Sequence, residues 1–227
     1  MKKIGVFLSG CGVYDGSEIQ EAVFALLEIA REGATYQCYA PDMNQHHVIN
    51  HNTGDEMKET RNVLVESARI SRGNVKPLSS FNVADVDAIV IPGGFGAAKN
   101  LTKWAFSGPD GEILPDLKNA ILSCIKAHKP VVGLCMGPTV IAKALEGSDL
   151  RARLTVGTTK SPSPYDIAAI SAGMEKTGAV AEMRRIDEIM IDKHYKIITA
   201  PCYMMEGTIA DVHKNVRQAI EALFNII

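Results

Sequence analysis

Cys135 stands in the segment of this sequence that is best suited to nucleophilic chemistry. The segment 130–138 reads PVVGLCMGP, an apolar run that ends at the cysteine, and a helical pattern over 139–145 follows it. An abrupt strand-to-helix turn strains its central residue and needs small neighbours, which Gly133 and Gly137 supply. The dipole and free amides at a helix start favour a thiolate, so the pattern predicts a reactive Cys135 with a lowered pKa. A buried structural cysteine is the alternative.

A second glycine-rich turn follows another apolar run, in the segment 89–96 that reads IVIPGGFG. Such a turn exposes backbone amides that bind a phosphate or an oxyanion. If this strand neighbours the Cys135 strand in a parallel sheet, the amides of Gly94 and Met136 point at one carbonyl oxygen. A simple tight turn is the alternative interpretation.

The segment 9–18 (SGCGVYDGSE) links a first apolar run to a helical pattern. Its glycines resemble a relaxed dinucleotide fingerprint, and Asp42 ends the second strand where a ribose-binding acid is expected. Tyr14 and Asp15, however, put a bulky ring and a negative charge where a pyrophosphate must approach. Glu18 falls in the first helical turn, where an acid commonly complements the helix dipole.

The histidines give little support to a catalytic pair or a metal site. His46, His47 and His51 crowd one polar segment, but no carboxylate cluster accompanies them and a solvated loop is the simpler interpretation. None of the six histidines adjoins Cys135 in sequence. We therefore expect no metal.

The elements that must position these residues alternate between strands and helices. This order predicts an α/β, doubly wound, flavodoxin-like fold, with a mostly parallel sheet and helices on both faces. Five apolar runs predict its strands, at 4–8, 36–40, 88–91, 131–134 and 197–200.

The helical patterns give further expectations. A first helix opens at 15–17 and ends at Gly33, and a second stretch, over Thr53–Ile70, is a cover or a dimer element. A hairpin around 188–199 precedes a last helix near 208–224, and another helix covers 165–177. The side chains expected to face inward from the first helix are Ile19, Val23, Leu26, Leu27 and Ala30.

Length and composition limit the class of protein. The 227 residues, 46% hydrophobic and 22% charged, fit one α/β domain over residues 1–227. A formal charge of -2 gives no field that attracts nucleic acid, and no apolar stretch reaches the ~18 residues of a membrane span. The five cysteines are odd in number and scattered, which is typical of a reducing compartment, so we expect a soluble protein of the cytoplasm.

At these residues the chain resembles the amidotransferase-like superfamily that includes the PfpI protease and the parkinsonism-associated deglycase. It is most similar to the ElbB branch, the isoprenoid-biosynthesis glyoxalase-like proteins. The resemblance runs through 5–18, 48–64, 91–101 and the Cys135 turn.

The resemblance implies that Cys135 is the nucleophile of an elbow and that Glu18 hydrogen-bonds its sulfur. It also implies that the amides of Gly94 and Met136 bind the oxyanion. Met136 replaces the histidine of the protease pattern, and no His-x-Glu occurs near 200–206. Peptidase and glutaminase chemistry are therefore not expected. The family further suggests a homodimer.

The implied activity is that of a cofactor-independent, glutathione-independent glyoxalase, a lyase of the hydro-lyase type. Cys135 adds to glyoxal, Glu18 moves the proton, and water releases glycolate. A stress-related binding protein or redox sensor that uses the same cysteine is the alternative, because thiolate character also sets sensitivity to peroxide. A dinucleotide-binding domain is a lesser alternative.

Overall fold

Seven strands form one sheet in the order β3-β2-β1-β4-β5-β9-β8. All neighbours pair in parallel except β8, which runs antiparallel to β9 at one edge. The computed structural model describes residues 1–227. The strands of this sheet are β1 Lys3–Phe7, β2 Thr35–Ala40, β3 Val75–Pro77, β4 Ala88–Ile91, β5 Val131–Leu134, β8 Met190–Asp192 and β9 Ile197–Ala200. A separate parallel pair consists of β6 Arg153–Gly157 and β7 Val180–Met183.

Helices cover both faces of the large sheet. The helix α1 contacts both α2 and α7, while α4 packs against α5 and the central strands. The helices are α1 Ile19–Arg31, α2 Val63–Ser71, α3 Trp104–Ser107, α4 Pro115–Lys126, α5 Gly137–Leu145, α6 Ile167–Lys176 and α7 Ile209–Phe224. The predicted doubly wound α/β fold is confirmed, and the central strands read as continuous apolar runs because neither face of them meets water.

The chain winds outward in both directions from the boundary between β1 and β4. From β1 it continues to β2 and β3 on one side, and β4, β5 and β9 follow on the other. In open α/β sheets, ligands bind at the carboxyl ends of the strands beside such a reversal. The turns after β1, β4, β5 and β9 all lie at that edge.

The inward face predicted for α1 is wrong for four of its five residues. Ile19, Val23 and Leu27 are 43%, 43% and 40% exposed, Ala30 is also exposed, and only Leu26 is buried. The buried face instead carries Ala22, Ala25, Leu26 and Ile29 together with the acids Glu21 and Glu28. Both acids have hydrogen-bonding partners, Glu21 in the amides of Gly93 and Tyr203 and Glu28 in His213, so the helix is rotated relative to the arrangement that apolar spacing alone predicts.

The helix predicted over Thr53–Ile70 is shorter than expected. Only α2 is helical, because the side chain of Asn62 accepts a hydrogen bond from Val65 N at 3.0 Å and begins the helix there. The preceding residues are largely exposed and bond to the segment before them, where Met57 N donates to Val48 O at 2.8 Å. A role as a cover or in dimerisation stays a prediction.

The end of the chain agrees with its prediction. The hairpin of β8 and β9 is confirmed, with Asp192 paired to Ile197, and α7 begins after a capping box at Thr208. The short strands β3, β6 and β7 were missed, since their sequences lack a continuous apolar run. No helix in the structure has both the length and the hydropathy that crossing a membrane requires.

Candidate active site

Cys135 occupies a strained backbone position at the edge of the sheet. It follows β5 directly and has φ 56°, the left-handed region that a residue with a side chain rarely adopts. Its amide donates to Ala200 O at 2.9 Å, which keeps it in register with β9. Two residues later α5 begins, so the turn holds the sulfur at the carboxyl ends of the strands. This is the predicted elbow geometry.

The glycine turn after β4 closes around the cysteine. A Cβ placed on Gly93 would lie 2.4 Å from the Cβ of Cys135 and 2.8 Å from its sulfur, so no side chain fits there. Gly94 has φ 96°, and its amide and that of Met136 lie within hydrogen-bonding reach of the Cys135 sulfur. The structure therefore brings Cys135, Gly94 and Met136 together, and the oxyanion role of the two amides stays a prediction.

Glu21 is the carboxyl group that meets the thiol. Its Oε2 accepts from Gly93 N at 3.1 Å, its Oε1 accepts from Tyr203 N at 3.2 Å, and its carboxyl shares a hydrogen bond with Cys135. The side chain has no exposed surface. Sequence reasoning missed this residue, although it precedes Ala25 by one helical turn on the face of α1 that is buried.

Glu18, which the sequence analysis assigned to the sulfur, has a different position. It is the N-cap of α1, where its Oε2 accepts from Glu21 N at 2.6 Å, and it lines the cavity above Cys135. The predicted hydrogen bond between Glu18 and the sulfur is therefore wrong. The helix begins one residue after Glu18, and Glu21, in its first turn, reaches the thiol.

The electrostatics of the pair differ from the predicted lowered thiol pKa. Burial, and then the negative charge of Glu21, hold the pKa of Cys135 well above its usual value, although the amides of Gly94 and Met136 act in the opposite direction. Burial, and then the charge of Glu18, raise the pKa of Glu21 to about 8. Two adjacent buried acids do not both ionise readily, so the predominant form of the pair at neutral pH keeps both protons.

A second buried cysteine lies beside this pair. Cys202 follows β9, also has a left-handed backbone with φ 48°, and its amide donates to the Asn215 side chain at 2.9 Å. Its sulfur lies within hydrogen-bonding reach of the Cys135 amide. Burial, followed by the charge of Glu21, raises the pKa of Cys202 well above its usual value. No pattern in the sequence points to this neighbour, which lies 67 positions further along the chain.

A cavity of about 250 Å³ opens above the Cys135 sulfur. Most of its wall is apolar or aromatic, and the rings of Phe95 and Tyr165 meet edge to face with centroids 6.0 Å apart. Burial, and then the charge of Cys135, raise the pKa of Tyr165 to about 12, so its phenol stays neutral. No histidine lines the cavity. The remaining lining residues are Val13, Glu18, Gly94, Ala98, Trp104, Ala105, Met136, Ile170, Tyr203 and Met204.

The other motifs do not form ligand sites. No group of three or more metal-ligating side chains comes together, and His46 and His47 pack on Phe106 instead. In the loop after β1, the amides of Gly12, Gly16 and Glu18 donate to backbone oxygens, which leaves them no free hydrogen for a pyrophosphate. Nothing in this geometry favours the dinucleotide alternative.

Comparison with known proteins finds relatives along almost the whole chain. No protein-family model matches it. The human glutamine amidotransferase-like class 1 domain-containing protein 3, mitochondrial, is 36% identical over 228 residues, which cover 99% of this chain and 83% of the human protein. The rat ES1 protein homolog, mitochondrial, is 35% identical over 228 residues, covering 99% of this chain and 84% of the rat protein. Those names place both relatives in mitochondria, and the cytoplasmic location of this chain stays a prediction.

Solved structures also match this chain over nearly its whole length. An isoprenoid biosynthesis protein with an amidotransferase-like domain from Ehrlichia chaffeensis superposes with a TM-score of 0.90 at 32% identity, covering 100% of this chain and 99% of the other. Glyoxalase III from Candida albicans superposes with a TM-score of 0.61 at 16% identity over 97% of each chain, which shows a shared fold. The resemblance to the ElbB branch is confirmed. Sequence similarity along nearly the whole length, together with the same fold, shows that this chain belongs to the glutamine amidotransferase-like class 1 family that includes the ES1 proteins.

Proposed function

We propose that this protein is a cofactor-independent glyoxalase that converts glyoxal and related small 2-oxoaldehydes to hydroxy acids through a thiohemiacetal on Cys135. The observation that carries the proposal is the contact of one strained cysteine with two backbone amides and one protonatable carboxyl group at the base of a cavity. This arrangement supplies a nucleophile, donors for an oxyanion and a proton carrier.

In the first step the Cys135 sulfur adds to one aldehyde carbon of glyoxal. A carbon–sulfur bond forms, and the carbonyl electron pair moves to the oxygen. The amides of Gly94 and Met136 point toward the sulfur, so an oxygen bound to the adjacent carbon lies within their reach. The thiol proton passes to Glu21 and then to that oxygen, which completes a neutral thiohemiacetal.

In the second step Glu21 moves a proton between the two carbons. As a carboxylate it removes a proton from the carbon that carries sulfur, and the electron pair forms an enediolate with the second carbonyl. As a carboxylic acid it returns the proton to the second carbon, while the hydroxyl proton of the first carbon moves to the oxygen of the second, which gives the thioester of glycolate. A pKa of about 8 keeps both forms of Glu21 accessible near neutral pH.

Water then attacks the thioester, the carbon–sulfur bond breaks, and glycolate leaves while the proton returns to the Cys135–Glu21 pair. The sum is glyoxal plus water giving glycolate, with no net oxidation. We assign the proton transfer to Glu21 rather than to Glu18 because Glu21 is the carboxyl group in contact with the sulfur.

The test is turnover of glyoxal to glycolate by the purified chain, with Cys135→Ser as the inactive variant. Cys38→Ser is the matched control, because Cys38 is buried in β2 away from the cavity. We expect glycolate from the native chain and from Cys38→Ser only. Activity that survives in Cys135→Ser rejects the proposal, as does a native chain without activity.

The position of Cys202 favours redox sensing as a second candidate function. Peroxide would oxidise the Cys135 thiolate to a sulfenic acid with release of water, and the Cys202 thiol would displace a second water to form a disulfide. Intact mass after peroxide treatment tests this: loss of two hydrogens supports the sensor, and addition of oxygen alone contradicts it. Glyoxal turnover separates the enzyme from a pure sensor.

A further inference from the structure

The cavity above Cys135 is larger than glyoxal needs. At about 30 Å³ per molecule of liquid water, its volume of about 250 Å³ corresponds to roughly eight water molecules. Glyoxal consists of two joined carbonyl groups and nothing more, so it displaces only part of that water. The rest would stay against the cavity wall during the reaction.

That wall is mostly apolar. Phe95, Trp104, Tyr165 and Ile170 contribute aromatic rings and an aliphatic chain to it. Water against such surfaces has few hydrogen-bond partners, and its displacement by an apolar group is favourable. Glyoxal has no apolar group with which to gain this free energy.

The wall also lacks positive charge. No lysine, arginine or histidine lines the cavity, and its one carboxyl side chain belongs to Glu18. Lys99 lies nearby over the Phe95 ring, but its ammonium group donates to Tyr14 O at 2.9 Å outside the lining. A substrate with a phosphate or carboxylate substituent would leave its charge unpaired on desolvation.

We infer that the preferred substrates of this site are 2-oxoaldehydes whose ketone carries an uncharged apolar group, such as a branched alkyl or phenyl group, in place of the hydrogen of glyoxal. The inference rests on the proposed function and names its substrate class. The aldehyde reaches Cys135, and the apolar group occupies the space between Trp104, Ile170 and the phenol ring of Tyr165.

The first experiment compares kcat/KM for glyoxal, methylglyoxal, isopropylglyoxal and phenylglyoxal. We expect kcat/KM to rise along this series and to be at least about tenfold higher for phenylglyoxal than for glyoxal, the gain typical of added apolar contact in a pocket. Turnover with glyoxal preferred overturns this inference and leaves the proposed function intact. No turnover of any member rejects both.

Hydration of the aldehyde is a property of the substrate, so it affects kcat/KM equally in every variant. Comparing a variant at the cavity rim with the native chain therefore removes this effect. Ala105 lines the cavity yet is exposed, so Ala105→Phe narrows the space without disturbing the core. We expect it to lower kcat/KM for phenylglyoxal about tenfold more than it lowers kcat/KM for glyoxal. Phe106→Ala, next to it and outside the cavity lining, is the control and should leave the ratio unchanged. An unchanged ratio in Ala105→Phe contradicts the inference.

Binding provides a readout that does not depend on turnover. Trp104 is the one tryptophan of the chain and lines the cavity, so its fluorescence reports occupancy. In Cys135→Ser we expect acetophenone to quench it with a saturating curve, and 4-acetylbenzoate, the same molecule with a carboxylate, to bind at least about tenfold more weakly. Equal affinity, or quenching that rises linearly without saturation, overturns the preference for apolar groups.

Discussion

At the level of single residues, Cys135 and Glu21 act as one acidic unit. Burial raises the pKa of both groups, and the charge of Glu21 raises that of Cys135 further, while the hydrogen bond from Cys135 acts to lower that of Glu21. A thiolate stabilised only by a helix dipole, which the sequence predicts, would be poorly solvated at this buried position. In the proposed function the thiolate forms instead when Glu21, in its ionised form, takes the thiol proton.

Glu21→Gln should lower glyoxal turnover by roughly 10²- to 10⁴-fold, because glutamine keeps the shape of the side chain but carries no proton between the two carbons. Glu18→Gln is the control: its amide oxygen still caps α1, and turnover should stay within a few fold. Since the charge of Glu18 raises the pKa of Glu21, Glu18→Gln should also move the pH optimum of kcat downward. Loss of turnover in Glu18→Gln with native rates in Glu21→Gln would reverse our assignment.

The raised pKa of Glu21 also predicts how stability depends on pH. In the unfolded chain this carboxyl has its ordinary pKa of 4.5, whereas in the folded protein it keeps its proton up to about pH 8. Its contribution to stability is therefore fully present below 4.5 and is lost as the pH rises to about 8. Urea unfolding across this range should show native stability falling relative to Glu21→Gln, by on the order of a few kcal/mol. A constant difference would contradict the burial of an ionisable Glu21.

Alkylation should distinguish the cysteines. Iodoacetamide near neutral pH should label Cys135 faster than Cys38 or Cys124, because only Cys135 lines a cavity and has a base beside it. Burial raises the pKa of all three thiols, to about 12 in Cys38 and Cys124, so the expected difference rests on the cavity and on Glu21, which can take the Cys135 proton. Peptide mass spectrometry over time gives the rates, and equal rates in the folded protein would remove the argument for an activated thiol.

At the level of elements, the site depends on the close contact between two turns that follow neighbouring strands. β4 and β5 pair with Ile91 opposite Gly133, so the turns that begin after them meet directly. Gly93 lies between the sulfur and Glu21, and a Cβ there would be 2.7 Å from the Glu21 carboxylate. The turn therefore orients both members of the acidic pair.

Gly93→Ala should destabilise the fold by about 1–3 kcal/mol through overpacking and should reduce turnover severely, because it separates Cys135 from Glu21. Gly33→Ala is the control. Gly33 has φ 70° with open space around it, so alanine there should cost about 1–2 kcal/mol from backbone strain and leave turnover unchanged. Thermal unfolding and glyoxal assays on both variants check the difference. Native turnover in Gly93→Ala would show that the turn does not position the pair.

At the level of the whole molecule, the fold places four strand ends and one cavity at a single edge. The family name refers to glutamine amidotransferases, but no histidine lines this cavity. We expect neither glutamine nor peptide hydrolysis, measured as ammonia release from glutamine and as cleavage of a fluorogenic peptide, because no imidazole is positioned to protonate a leaving amine. Robust ammonia release by the isolated chain would show that another group performs that step. The homodimer that the family suggests stays a prediction, which sedimentation would test.

The sequence by itself determined the doubly wound α/β class of the fold and the sharp turn that carries Cys135. Apolar runs at β1, β4 and β5 predict buried parallel strands, because neither face of such strands contacts water. The glycines around Cys135 and after β4 predict sharp turns, since those backbone paths exclude side chains. These are local properties of the chain, and a single sequence is enough to find them.

Only the tertiary structure decided which carboxyl group meets the thiol and in which direction the thiol pKa shifts. Glu18 caps α1 and Glu21 lies in its first turn. The rotation of that helix, set by its packing against the sheet and α7, determines which of the two carboxyl groups reaches the thiol. The pKa depends on how much water burial removes, which no spacing in the sequence measures. The cavity wall likewise joins residues from distant segments, such as Phe95, Trp104 and Tyr165, that come together only when the chain folds.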